Sequence, residues 1–218
     1  MPSLTRDIEQ LYQQLEQTEP RPITNIVEPY KRKTGTFHKK YSSGWKMKSA
    51  NDPALPSGIE KGGIYVFWWL NNTAQCLDPL KGPLCTRTYT LQGKQKTGTG
   101  EIVDYHQIEI DINDSWLQRY ERHIPLYAGK SADSLHKRIK LHLQINHQKY
   151  TGKTTADQLR RGMERLFKKH DSTSQLIIDH VGYSFISLHG EEEVVNRFYL
   201  EDYVIGKLMP LFNVDIER

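Results

Sequence analysis

Residues 64–70 alternate with bulk on both sides. Ile64, Val66, Trp68 and Leu70 fall on one face of an extended chain, and Tyr65, Phe67 and Trp69 on the other. β-Branched and aromatic residues suit a pleated surface, and Gly62–Gly63 precede the run. The pattern predicts a central strand covered on both sides, with a phenol near its start. Ile124–Lys130 (IPLYAGK) reads as a second short core strand. Helical spacing appears first at Leu4, Ile8, Leu11 and Leu15, a helix over 3–15 capped by Ser3 and ended by Pro20 and Pro22. Leu135, Ile139 and Leu143 mark a helix over 134–145. Leu159, Met163, Leu166 and Phe167 mark another over 155–169, and a last helix over 191–208 is closed by Pro210. Residues 85–92 and 101–112 alternate as a hairpin about the turn GKQKTGTG, Ser115–Tyr120 suits a short helix, and 176–188 reads as one or two strands. Strand, hairpin, strand, helix, helix, strand, helix is an α/β (α+β) layout with few strands.

At 218 residues, the chain is long enough for one good-sized domain with additions. Hydrophobic residues make up 37% and charged residues 26%, a globular composition. No apolar run approaches the ~20 residues of a membrane span. The N-terminus carries no apolar signal segment, so the expectation is a cytoplasmic protein, with Cys76 and Cys85 as reduced thiols. The formal charge of +4 is mild, but its distribution is not. From Arg21 to Ala50 there are eight Lys/Arg and one acid, Glu28. Lys31, Arg32, Lys33, Lys39 and Lys40 lie there among Tyr30, Phe37, Tyr41 and Trp45. Lys94 and Lys96 sit in the hairpin turn, and Arg160 and Arg161 open a second cluster. Cations for phosphates and flat rings for bases or sugars are what a polyanion binder needs; a solvated surface is the alternative. The expected organisation is an N-terminal helix and basic DNA-binding arm over 1–58, then a domain over 59–218 with an insert at about 71–123.

Chemistry concentrates in three elements. In the last helix Val194, Phe198, Ile205 and Leu208 form an apolar stripe, and position 201 within it is a glutamate. A carboxylate on a buried face is costly unless it is paired, with an arginine for example, or holds a metal. Arg138 and His142 are i, i+4 partners on one helix face, by themselves an ordinary half-exposed pair. With Tyr65 and Tyr127 on two strands, the set has a carboxylate, a cation, an imidazole and two phenols, which are parts for phosphodiester hydrolysis.

GGIYVF, LYAGKS, LHKRIKLHL and YLEDYVIGKLMPLFN, in that order, resemble the GIY-YIG nuclease family. The resemblance covers Gly62–Leu70 and Ile124–Asn213, with Tyr127–Ala128–Gly129 where the family has Tyr-Ile-Gly. It implies a small, mostly antiparallel sheet flanked by helices. It also implies metal-dependent cleavage of double-stranded DNA to 5′-phosphate and 3′-hydroxyl ends. Carried over, Tyr65 is the general base or water-orienter, with Lys130 and Arg138 favouring its phenolate. Arg138 holds the phosphate oxygens, and Tyr127 and His142 bond the phosphate or relay the proton. Glu201 ligates one Mg²⁺ or Mn²⁺. Asn213 ties the final turn to the site, and Gly63 and Gly129 let backbone approach closely where bulk would block DNA.

The chain lacks a zinc-finger ligand set, because its two cysteines have no partners. The compact form is most like a stand-alone, sequence-specific type II-like restriction endonuclease. A less specific repair, phage or mobile-element nuclease and a non-catalytic DNA-binding module are the alternatives. One site cuts one strand, so a homodimer is expected, with the N-terminal helix or the hairpin at its interface.

Overall fold

The computed structural model describes residues 4–30, 43–96, 99, 102–147, 157–168 and 170–213. In chain order the elements are α1 (Leu4–Gln17), β1 (Arg21–Pro22), β2 (Val27–Pro29), β3 (Trp45–Met47), β4 (Gly63–Trp69) and α2 (Asp78–Lys81). There follow β5 (Thr88–Lys96), β6 (Ile102–Asp111), α3 (Asp114–Leu117), β7 (Ile124–Ser131) and α4 (Leu135–Leu143). The chain continues with α5 (Gln158–Leu166), α6 (Thr173–His180), β8 (Val181–Ser187) and α7 (Val194–Leu208). The class is α+β around a small antiparallel sheet.

That sheet has the order β1-β8-β4-β7. β4 pairs along its whole length with β7 on one side and β8 on the other, both antiparallel, and every one of its residues is buried. The two-sided bulk of the sequence has a direct cause here. Tyr65, Phe67 and Trp69 enter one core with Leu135, Ile139, Leu159, Met163 and Ile177. Ile64, Val66 and Trp68 enter a second with Ile8, Leu15, Leu200 and Val204 of α1 and α7. Burying each such side chain stabilises by about 1.5–3 kcal/mol, so slipping β4 by one residue would mismatch both layers.

Several expectations change. The 176–188 stretch is helix and then strand. Ser172 Oγ accepts from Gln175 N–H at 3.3 Å and Gln175 Nε2 donates to Asp179 at 2.7 Å, so a cap and an i, i+4 pair support α6 where three consecutive apolar residues hid its period. The hairpin strand β5 runs through Lys94 and Lys96, which pair with Tyr105 and Ile102, so neither belongs to a turn. The segment after Pro20 is not wholly irregular: β1 pairs with β8, β2 pairs with β3, and Ile23, Ile26, Val27 and Met47 join the larger core. Lys31, Arg32, Lys33, Lys39 and Lys40 lie outside the described residues. α1 buries Ile8 and Leu15 against its own α7 and sheet, which removes that face from any dimer interface. Cys76 and Cys85 are both free thiols. No helix among the described residues is long and apolar enough to cross a membrane.

Candidate active site

The site straddles β7. Ser134 starts α4 by accepting from Lys137 N–H at 3.3 Å, and the Leu135–Ile139–Leu143 stripe docks the helix on the sheet. Arg138 and His142 are thereby turned toward the two tyrosines. Tyr65 Oη lies 2.7 Å from His142 Nε2, and the Tyr127 and His142 rings are 4.6 Å apart. Opposite Tyr65 on β7 stands Gly129. A Cβ there would sit 2.7 Å from the Tyr65 oxygen and 2.9 Å from the Tyr127 ring, so the glycine is the notch that lets the phenol lie across the strand. Gly63 is needed for another reason, since a Cβ there would strike the Ile186 carbonyl of β8. Both glycines permit close approach as expected, and the contacts they permit are internal, to β8 backbone at Gly63 and to the two phenol rings at Gly129.

Residues 211–213 close the outer edge of β7. Leu211 N–H donates to Pro125 O at 3.1 Å and Phe212 N–H to Leu126 O at 2.7 Å. Asn213 completes the run with two bonds to the Ala128 backbone, accepting from its N–H at 2.7 Å and donating to its carbonyl at 2.8 Å. Asn213 therefore ties the chain's final turn to β7 one residue before Gly129.

Lys130 does not face the phenol. It pairs with Ile64 across the strands, projects toward α7, and places Nζ 2.5 Å from Glu201 Oε2. Arg138 is the cation beside Tyr65, so the pairing of Lys130 with Tyr65 is corrected. Glu201 is also not in the buried stripe of α7. The inward side of that helix is Arg197, Leu200 and Val204, while Val194 and Phe198 are each 52% exposed. Arg197 sits inward because Nη1 donates to the carbonyls of Leu188 at 2.6 Å and Gly190 at 3.1 Å. Periodicity that assigns every charge to the outside misses such a residue.

Burial sets the electrostatics. Desolvation pushes the Tyr65 phenol well above its usual range; Tyr127 and Glu201 add to the rise, and Arg138 opposes it. Tyr127 is pushed up to about 12 by burial and then by Glu201, again against Arg138. Desolvation, and then the neighbouring Arg138, pull His142 down to about 3. The imidazole is therefore neutral at pH 7. Both shifts oppose moving a proton from Tyr65 to the imidazole in the resting site. The imidazole orients the phenol instead. Two buried nitrogens of the cluster, Arg138 Nε and His142 Nδ1, have no hydrogen-bond partner.

Of the expected DNA contacts, Arg161 is exposed. Arg160 is not available: its side chain is 0% exposed, with Nη1 donating to Ser174 Oγ at 2.7 Å and Nη2 to His147 O at 3.1 Å. It belongs to a structural network that helical spacing alone did not separate from Arg161.

No protein family, curated protein or solved structure matches this chain.

Proposed function

We propose that the protein is a divalent-metal-dependent endonuclease that hydrolyses DNA phosphodiester bonds, built as the GIY-YIG resemblance implies. One observation carries the reading. Tyr65 of β4 meets Tyr127 of β7 and Arg138 and His142 of α4, much later in the chain, around one phenol–imidazole contact, with Glu201 close enough to bias both phenols and Arg138.

The donor set suits one hard cation. Glu201 is a solvent-reached carboxylate, its side chain 19% exposed, and Mg²⁺ commonly keeps its waters and takes only one or two protein carboxylates. Glu201 would hold the ion, which supplies Lewis-acid stabilisation of the leaving oxygen. Burial pulls the Arg138 guanidinium down, but the two phenols and Glu201 outweigh it, so Arg138 stays charged and, as a half-buried side chain, can meet a phosphate oxygen. Tyr65 is protonated in the resting site. A divalent ion on Glu201 would add positive charge near the phenol and, with Arg138, would favour the phenolate, the phenol's proton leaving to solvent. The phenolate takes the proton of the attacking water as the phosphorus–oxygen bond forms. The bond to the 3′-oxygen breaks, and that oxygen is protonated by solvent, leaving 5′-phosphate and 3′-hydroxyl ends. His142 fixes the phenol's direction throughout.

A type II-like restriction activity is the favoured setting, with a homodimer through the β5–β6 hairpin supplying two sites; Ile108 on that hairpin is 62% exposed. Supercoiled plasmid incubated with the protein and Mg²⁺ tests the reading, with sequencing of the ends. Discrete fragments with 5′-phosphates are expected, and none from Tyr65→Phe or Glu201→Gln. A smear points to a less specific nuclease. Retarded but intact DNA in both Mg²⁺ and Mn²⁺ overturns the enzyme in favour of a binding module.

A further inference from the structure

Glu201 already holds a cation, and the chain supplies it. Lys130 Nζ lies 2.5 Å from the carboxylate and 4.6 Å from the centre of the Phe198 ring. Phe198 precedes Glu201 by three residues on α7, so ring and carboxylate share one flank of the helix. The ammonium is the outer partner of the pair, with side-chain exposures of 37% for Lys130 and 19% for Glu201. Among the described residues no three His, Cys, Asp or Glu side chains gather to hold a metal ion. A divalent ion at this place therefore relies on one carboxylate whose charge Lys130 already neutralises. Keeping both would set three positive charges against one negative, at short range and partly out of water.

We infer that Lys130 is a placeholder for the metal ion, and that DNA releases it. Metal entry exchanges the ammonium for the divalent cation. The scissile phosphate brings the negative charge that draws the lysine off Glu201, so metal and DNA bind cooperatively, each strengthening the other by the same factor. Lysine suits this exchange because its charge sits on a flexible stem and is strongly hydrated, whereas an arginine would grip the carboxylate through two bonds. The Phe198 face offers the displaced ammonium a second contact without leaving the site. The inference rests on the proposed role of Glu201 as the metal ligand.

Mn²⁺ is the probe, and the loss of the free aquo-ion's paramagnetic resonance signal reads its binding to the full chain without DNA. Wild type should bind weakly. Lys130→Met and Lys130→Gln should each bind about tenfold more tightly or better, while Lys130→Arg should gain nothing. Adding duplex DNA to Tyr65→Phe, which should bind without cutting, should tighten Mn²⁺ binding, and Lys130→Met should remove that coupling. If Lys130→Met and Lys130→Gln fold and bind Mn²⁺ no better than wild type, the exchange is overturned while the Glu201 assignment stands. If neither variant folds, the DNA arm decides: Mn²⁺ affinity unmoved by DNA overturns the exchange. If the gain in Lys130→Met survives the added Glu201→Gln change, the ion is not on Glu201 and the metal assignment itself falls.

Discussion

Two buried polar clusters are built on α4 and the turn after it, and they are finished differently. In the cluster joining α4 to α5 and α6, Arg160 donates to Glu164, Ser174 and the His147 carbonyl, and Gln144 donates to Asp157 at 2.9 Å. All three nitrogens of that guanidinium meet an acceptor of the same chain. In the cluster that joins α4 to β4 and β7, the phenol–imidazole contact is made, yet Arg138 Nε and His142 Nδ1 are left without partners. A buried polar group without a partner costs about 1–3 kcal/mol, so the second cluster holds its geometry at a loss of stability. The first is a joint. The second leaves two sealed nitrogens unmatched among the described residues.

The largest effect that would sharpen this contrast is acid sensitivity. The folded-state value of His142 lies near 3, against about 6.5 for an unfolded histidine. Between those values the unfolded chain binds a proton that the native site refuses, so stability falls as pH falls. This one group contributes about 1.4 kcal/mol per pH unit below 6.5, and about 5 kcal/mol by pH 3. His136 and His180, each also lowered by desolvation, act in the same direction. Urea titrations of wild type and His142→Phe across pH 7 to 4 should show the variant losing stability less steeply, by up to one proton's worth of slope. Equal slopes would mean that His142 is solvated and the cluster is not dry.

The second break falls on the saturated cluster. Arg160→Met removes the guanidinium bonds to Ser174 Oγ, the His147 carbonyl and Glu164. Losing one half of a buried ion pair costs about 3–5 kcal/mol. The lower end is expected, because the Glu164 side chain is 23% exposed and can rehydrate. Chemical denaturation measures it. DNA affinity of the fraction that remains folded should be unchanged, since the guanidinium is sealed from solvent. A stable Arg160→Met with weakened DNA binding would reverse the assignment and return Arg160 to the surface.

Arg138→Ala inverts that outcome. Its loss should slow DNA cleavage by about 100- to 1,000-fold, the usual cost of one stabilising donor. Stability should change by only about 1–2 kcal/mol, because the half-buried guanidinium gives up its bonds to Tyr65 and Tyr127 while a buried, unpartnered Nε is removed with it. Single-turnover cleavage and thermal melting of the same preparation separate the two. A large loss of stability with unchanged cleavage would make Arg138 a second structural arginine.

The two arginines also mark how far the sequence could be read. β4 was legible because both of its faces are bulky, and a strand buried on both sides leaves no other use for such a pattern. α4 was legible because Ser134 and the Leu135–Ile139–Leu143 stripe agree. α7 was misread: Arg197 faces inward by donating to two carbonyls, which turns Val194 and Phe198 outward and moves Glu201 from an apolar stripe to the rim. α6 reads as strand in the sequence because Leu176, Ile177 and Ile178 are consecutive and all buried, so neither period shows. The meeting of Tyr65, Tyr127, Arg138 and His142 followed motif order, but the Lys130–Glu201 pair needs the strand register, which periodicity does not carry.

The smallest effect tests the finest distinction, between neighbours. Arg161 follows Arg160 on α5, about 100° further round the helix, and that rotation takes it from a sealed network to open solvent. Arg161→Ala should therefore change stability by no more than about 0.5 kcal/mol, as surface changes away from special features do. If its guanidinium meets a DNA phosphate, the slope of log affinity against log salt should fall by about 0.9 and binding should weaken uniformly across sequences. The pair forms a clean cross: Arg160→Met moves stability and leaves the salt slope, while Arg161→Ala moves the salt slope and leaves stability. Fluorescence anisotropy with labelled duplex at several salt concentrations reads the slope. An unchanged slope would assign Arg161 to the solvated surface and leave DNA attraction to the basic residues elsewhere in the chain.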